Sequence, residues 1–388
     1  MSQEKVKRLI GEVFNDIADA IESGSFGKKV KVALTLPESE HGAGELVKAA
    51  KMAMEKYHDF EVVLIGPKID GDFKIYEAET LEESHKVMEK LLDEGEIDSA
   101  VTLHYNFPIG VSTVGRAVTP GSGKEMMLAT TTGTSSSDRV EAIFKNALYG
   151  IIAAKAMGIT EPSVGILNVD GAKQVERALK ELSKGGYEIN FAGSVRKDGG
   201  CVMRGNDLLA GVPDVMVTDT LTGNLLVKIL SSYTTGGSYE SLGYGYGPGI
   251  GEGYNRIICI ISRASGAPLI REALRYAATL AQNKLPDAAD REFKAAARAG
   301  YNDILKRLAA TAQGKDTAEE VKAPHKRVVT YSIAGIDILE LEDAVKELWK
   351  NGIYSESGMG CTGPIVLVPE DEGAKAEDIL IKSGYLLR

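Results

Sequence analysis

Short apolar runs alternate with helical periodicity along most of this chain. Residues 30–36 are a β-branched run that stops at Pro37, and 44–57 then places apolar residues at helical spacing. The rhythm continues with strands at 61–65, 99–104 and 125–130, helices at 81–94 and 138–157, and a restart after Pro162. Beyond that proline the pattern predicts strands at 164–169, 189–192, 215–218 and 256–262, and helices at 172–184, 222–231 and 268–283. The strands are continuously apolar rather than alternating, as expected where helices cover both faces of a parallel sheet. At the start, residues 1–24 put Val6, Leu9, Ile10, Val13, Phe14, Ile17 and Ile21 on one face of an amphipathic helix. Near the other end, the polar stretch 313–324 reads as a linker. It leads into a small unit with strands at 327–333 and 365–368 and helices at 341–350 and 376–383.

The pattern predicts an α/β fold of two open three-layer α/β/α units with a cleft between them, plus a small C-terminal βα unit. The expected divisions are 1–27 (N-terminal helix), 28–158 and 159–312 (the two units, the second with last helices that can pack back on the first), and 313–388. The length of 388 residues suits two or three packed units. A net charge of -10 argues against nucleic acid, whose binding needs cations to neutralise phosphates, so any anion must find a local pocket. The N-terminal helix is too charged for a secretory signal, and no stretch reaches the roughly 18 uncharged residues of a membrane span. The expectation is a cytoplasmic chain without membrane contact. Its three cysteines, an odd count in a long chain, point to free thiols in a reducing compartment.

The most glycine-dense stretch, 236–253, precedes a strand, whereas a dinucleotide fingerprint follows a strand and opens a helix. It reads as a flexible loop at the cleft. Gly121-Ser122-Gly123-Lys124 lacks the first glycine and the hydroxyl of a phosphate-binding Walker loop, with Val118 and Glu125 in those places. Two strand-to-helix junctions remain as anion candidates. The first, 130–139, reads as a helix cap. The second holds Ser262, Arg263, Ser265 and Gly266, and serves equally as a cap or as a phosphate site, since helix-terminal amides, hydroxyls and a guanidinium suit an anion. The five histidines are scattered and none has zinc-ligand spacing with a cysteine, so no metal and no cofactor is expected. Cys259, between isoleucines, reads as a core thiol, and Cys201 lies in a loop or hairpin. Cys361 is set in a run of small residues, Ser357-Gly358-Met359-Gly360-Cys361-Thr362-Gly363-Pro364. There Gly360, Thr362 and Gly363 leave backbone amides to meet a thiolate or an acyl oxygen.

Several segments of the second unit carry a family resemblance. Val164-Gly165-Ile166-Leu167-Asn168, Ile189-Asn190-Phe191-Ala192-Gly193, the run 211–219 from Gly211 to Asp219, and Gly223-Asn224-Leu225-Leu226-Val227-Lys228 resemble successive motifs of the phosphate acyltransferases, which are similar in fold to phosphate acetyltransferase and to isocitrate dehydrogenase. The chain departs from them in having Asp219-Thr220-Leu221 before Gly-Asn and Ser262-Arg263-Ala264-Ser265 in place of a His-Gly-Ser-Ser turn. With its Gly-Met-Gly-Cys-Thr-Gly-Pro tail, the whole length resembles the alpha subunits of component C of glycine/sarcosine/betaine reductase complexes. That resemblance implies an acyl-transfer subunit that takes an enzyme-bound acetyl thioester to inorganic phosphate and so makes acetyl phosphate, with phosphate as substrate and Cys361 as the thiol. It implies a beta subunit and the selenoprotein component A as partners, and leaves self-association open. Asp219, Asn224 and Lys228, with Asn168, are then expected to line the cleft, although a helix cap and a surface lysine account for them as well. A stand-alone phosphate acyltransferase using acyl carrier protein or coenzyme A, and a non-catalytic scaffold for the beta subunit, stay open as alternatives.

Overall fold

A computed structural model describes residues 29–69, 72–196, 199–314, 321–360 and 363–386, preceded by Lys7, Gly11, Val13, Phe14, Asn15, Ile17, Ala18 and Ile21. Those earlier positions are helical, and Val13, Phe14 and Ile21 are exposed. The expected α/β alternation then unfolds. Strand β1 (Val30–Thr35), helix α1 (Ala43–Lys56), β2 (Phe60–Gly66), β3 (Ile75–Glu77), α2 (Leu81–Asp93) and β4 (Ser99–Thr102) form the first run. Next come β5 (Val111–Val118), β6 (Glu125–Thr134) and the long helix α3 (Arg139–Ala156). The second run is β7 (Ser163–Leu167), α4 (Ala172–Lys184), β8 (Asn190–Phe191), β9 (Val202–Met203), α5 (Gly205–Ala210), β10 (Val215–Val217) and α6 (Thr220–Ser232). It closes with β11 (Gly247–Ile250), β12 (Ile258–Ile260) and three helices, α7 (Ala267–Gln282), α8 (Leu285–Arg298) and α9 (Tyr301–Gly314).

These strands join one sheet in the order β3-β2-β1-β4-β12-β11-β5-β6-β10-β7-β8, with β9 also on β7. Alternate residues of a strand face opposite layers. Val32, Leu34, Met127, Ala129, Val215 and Val217 enter one apolar core, and Ala33, Met126, Leu128 and Met216 enter the other. Helices α1, α3, α4, α7 and α8 cover the first face, and α2 and α6 the second. The outer side of α6 presents Leu221, Leu225 and Ile229, four residues apart and all exposed, and its C-cap Tyr233 continues the line.

Two differences from the sequence expectations matter for function. The glycine-dense stretch is not wholly a loop, because its residues Gly247–Ile250 form a strand at the centre of the sheet, antiparallel to both β12 and β5. And β5 and β6 form an antiparallel pair, so strand direction reverses in mid-sheet. Strands β1, β4 and β12 therefore end on one edge of the sheet, while β6, β10 and β7 end on the other.

After α9, strands β13 (Tyr331–Ala334), β14 (Glu356–Gly360) and β15 (Gly363–Val368) form a separate antiparallel sheet in the order β13-β15-β14. It is backed by α10 (Leu341–Lys350) and α11 (Gly373–Lys382). The unit has a core of its own, built on Ile333, Ala344, Leu348, Val366, Val368 and Leu380.

Candidate functional site

At the edge where β12 ends, the turn Ser262–Gly266 leads into α7 as the sequence predicts, with Gly266 as the helix N-cap. The turn is closed by its own hydroxyls: Ser265 Oγ accepts from the Ser262 amide at 3.0 Å, and Ser262 Oγ from the Ala264 amide at 3.1 Å. Carboxylates take several of the remaining donors. Glu240, only 2% exposed, accepts from Ser265 Oγ at 3.2 Å, from Lys228 Nζ at 3.1 Å and from Tyr246 Oη at 3.1 Å. Glu45 accepts from the Ala267 amide in the first turn of α7 at 2.8 Å. Arg263 points outward to Glu38 at 2.8 Å, an exposed pair. Helix-terminal amides favour an anion, and here the protein supplies that anion from within. Of the donors expected to meet phosphate, Ser265 Oγ and Arg263 are engaged by the carboxylates of Glu240 and Glu38, the Ser262 amide by Ser265 Oγ, and the Gly266 amide by the Glu240 backbone carbonyl at 2.8 Å.

Lys228 belongs to this edge, whereas Asp219 and Asn168 lie at the opposite one, at the ends of β10 and β7. The structure divides the expected cleft residues. Asp219 caps α6, accepting from the Thr222 amide at 3.0 Å, and pairs with Arg139 at 3.1 Å. Asn224 donates to the Thr131 carbonyl at 2.9 Å and ties α6 to β6. At the 130–139 junction Asp138 accepts from the Glu141 amide at 2.8 Å, so that junction is a cap.

Around Asn168 the structure opens a cavity of about 610 Å³ between the main body and the C-terminal unit. Lys173, Arg196 and Arg204 bring positive charge to its lining, and Ala334, Asp337 and Pro364 close it from the C-terminal side. Asp337 is 5% exposed and caps α4 from across the seam, accepting from the Gly171 and Lys173 amides, each at 3.1 Å. Arg177 on α4 pairs with Glu340 and donates to the Tyr385 carbonyl at 3.4 Å. Beneath Lys173, Glu176 is buried; burial opposes its ionisation, but Lys180 and Lys173 outweigh that and hold the carboxyl below its usual value. Asp207 bonds the amides of Arg204 at 2.8 Å and Val195 at 2.9 Å, and so fixes both ends of the segment that carries Arg196 and Arg204. Sequence reading missed Lys173, Arg196, Arg204, Asp207 and Asp337. The one signal available was the basic spacing of Arg196 and Arg204 before a short helix.

The thiols separate sharply. Cys259 is buried in the sheet, which pushes its pKa up. Cys201, 5% exposed, donates to Glu176 at 3.4 Å, and burial together with that carboxylate pushes its pKa up to about 12. Neither supplies a thiolate near neutral pH. The small-residue run of the tail forms a hairpin in which Gly360 pairs with Gly363. Cys361 and Thr362 lie outside the described residues. Among the described residues no cluster of three or more His, Cys, Asp or Glu side chains is arranged to hold a metal ion, and no helix is long and apolar enough to cross a membrane.

Residues 30–367 match a family model described as "Fatty acid synthesis protein". The chain belongs to that family. It is 62% identical over 381 residues to the glycine/sarcosine/betaine reductase complex component C subunit alpha of Peptoclostridium acidaminophilum, covering 98% of this chain and 99% of that one. The phosphate acyltransferase of Geobacillus sp. (strain WCH70) is 27% identical over 246 residues, or 52% of this chain and 71% of its own. Among solved structures, a branched-chain phosphotransacylase from Enterococcus faecalis V583 covers 65% of this chain and 99% of its own, at 15% identity and a TM-score of 0.46. The resemblance to component C alpha subunits is therefore present at full length, and the one to phosphate acyltransferases over about half of this chain. The family's kinship is with acyltransferases.

Proposed function

We propose that the chain is an acyl-transfer subunit of an amino-acid reductase complex, which carries acetyl as a thioester on Cys361 and passes it to inorganic phosphate. The observation that carries this reading is the near full-length 62% identity to a component C subunit alpha. The thiol chemistry supports it, because burial leaves Cys201 and Cys259 unsuited to the task and only Cys361 remains of the three. In the reaction, a phosphate oxygen adds to the thioester carbonyl and the π electrons move to the carbonyl oxygen. Collapse of that oxyanion breaks the C–S bond, releases acetyl phosphate and returns Cys361 as the thiolate. Backbone amides flanking the tip of the hairpin are the donors assigned to the oxyanion. The proposed partners are a beta subunit and the selenoprotein component A, which delivers the two-carbon unit. The uncharged apolar stripe of Leu221, Leu225 and Ile229 suits a partner subunit, since exposed apolar patches mark interaction surfaces.

The test is intact-mass analysis and peptide mapping after incubation with acetyl phosphate. Acetyl is expected on Cys361, and Cys361→Ser should keep its fold while losing acetyl phosphate formation. A label on Cys201 or Cys259, or full turnover by Cys361→Ala, rejects the assignment.

A further inference from the structure

We propose that the cavity between the main body and the C-terminal unit is a phosphate-binding site, with Lys173, Arg196 and Arg204 as its cationic wall. As the phosphate site of acyl transfer, this rests on the function proposed above; as an anion site, it stands on the geometry alone.

Three observations carry it. The chain has a net charge of -10, yet at this cavity three cations, Lys173, Arg196 and Arg204, outnumber the two carboxylates of its lining, Asp170 and Asp337. The two guanidiniums present planar, forked donors that match phosphate oxygens better than a single ammonium does. Lys173 and Lys180 share one buried carboxylate, Glu176, at 3.1 and 2.9 Å, so this trio contributes one positive charge more than it neutralises.

The site's place in the fold fits as well. Asn168 follows the end of β7, and in α/β sheets ligands bind outside the carboxyl ends of strands. A cavity of about 610 Å³ has room for phosphate and a small acyl group together. The wall opposite the cations includes Pro364, near the start of β15 in the hairpin of the C-terminal unit. At the turn Ser262–Gly266, Ser265 Oγ and the Ala267 amide are held by Glu240 and Glu45, and Arg263 points outward to Glu38.

The experiment is a calorimetric titration of the full-length chain with inorganic phosphate. Arg196→Gln and Arg204→Gln should each weaken binding about tenfold or more, the loss of a charge-assisted hydrogen bond. Arg263→Ala should bind phosphate as the unaltered chain does. In the unaltered chain, phosphate should also protect Arg196 and Arg204 from phenylglyoxal, read by peptide mapping, so the outcome does not depend on any variant folding. Undiminished affinity in both glutamine variants, no protection of these arginines, or an equal loss in Arg263→Ala would overturn the site. Tighter binding of coenzyme A than of phosphate at the same arginines would overturn the free anion as occupant. A chain that binds phosphate in this cavity but never accepts acetyl on Cys361 would reject the function proposed above and leave the site standing.

Discussion

Asp207 shows how much a single buried carboxylate controls here. It is almost fully buried, and one carboxylate receives the amides of Val195 and Arg204 and the hydroxyl of Ser194. Burial opposes its ionisation, but those donors prevail and hold its pKa below the ordinary 3.8. Asp207→Asn keeps the shape and removes the charge, so one amide loses its charged acceptor. A loss of roughly 1–3 kcal/mol in unfolding free energy at neutral pH is expected, measured by urea denaturation. A depressed pKa stabilises the folded state above the unfolded value, and that contribution disappears as the pH falls through the lower folded value. The gap between the two proteins should therefore close below pH 3.8, and a gap that stays constant down to acid unfolding would contradict the assignment. Nothing in the local sequence distinguishes Asp207 from a helix-capping surface aspartate, because its burial brings in donors from Ser194 and Val195 in a separate segment. Cys259 is the opposite case. Its isoleucine neighbours predict a core thiol, and the structure places it in the sheet.

At the scale of elements, the Gly223-Asn224 motif is a packing device as well as a family mark. Helix α6 lies so close to β6 that a Cβ on Gly223 would sit 1.9 Å from the Thr130 carbonyl oxygen, an atom of backbone that cannot step aside. Gly223→Ala should therefore cost about 1–3 kcal/mol or more despite alanine's better helix propensity, and an unfolding midpoint equal to the unaltered chain's would contradict this contact. Close approach also explains what the sequence concealed. Strand β11 reads as Gly-Pro-Gly-Ile, with none of the β-branched character of its neighbours. A Cβ on Gly247 would fall 1.7 Å from the Val114 carbonyl oxygen, so glycine is required where this strand crosses the sheet centre. The apolar runs made β1, β2, β4, β7 and β10 legible, because buried parallel strands announce themselves by composition. The reversal at β5 and β6 left no such signature. With it hidden, the ends of β7, β10 and β12 read as one cleft, although Lys228 and Ser262 stand on one edge and Asn168 and Asp219 on the other.

For the whole molecule, the decisive feature is that the C-terminal unit keeps a core separate from the main body and meets it partly through polar contacts. Val366, Val368, Leu348 and Leu380 pack among themselves, which gives this unit its own stability. Its described hold on the main body includes Asp337 on the amides of α4, and Glu340 and the Tyr385 carbonyl on Arg177. Losing a cap costs about 1 kcal/mol, and breaking a largely buried ion pair costs up to a few more. Replacing Asp337 and Arg177 together by alanine should thus weaken docking by about 2–5 kcal/mol, or roughly 30-fold to a few thousand-fold in the docking equilibrium. Small-angle scattering should show a larger radius of gyration, while circular dichroism keeps its helical signal because neither core is touched. An unchanged radius of gyration would mean that apolar contacts hold the seam. The same undocking removes Ala334, Asp337 and Pro364 from the cavity wall and exposes its cations to solvent. Since water and salt screen charges more once a cavity wall is removed, phosphate affinity should fall in the double variant although Arg196 and Arg204 are intact. Affinity that survived undocking would show that the wall from the C-terminal unit adds nothing to the site.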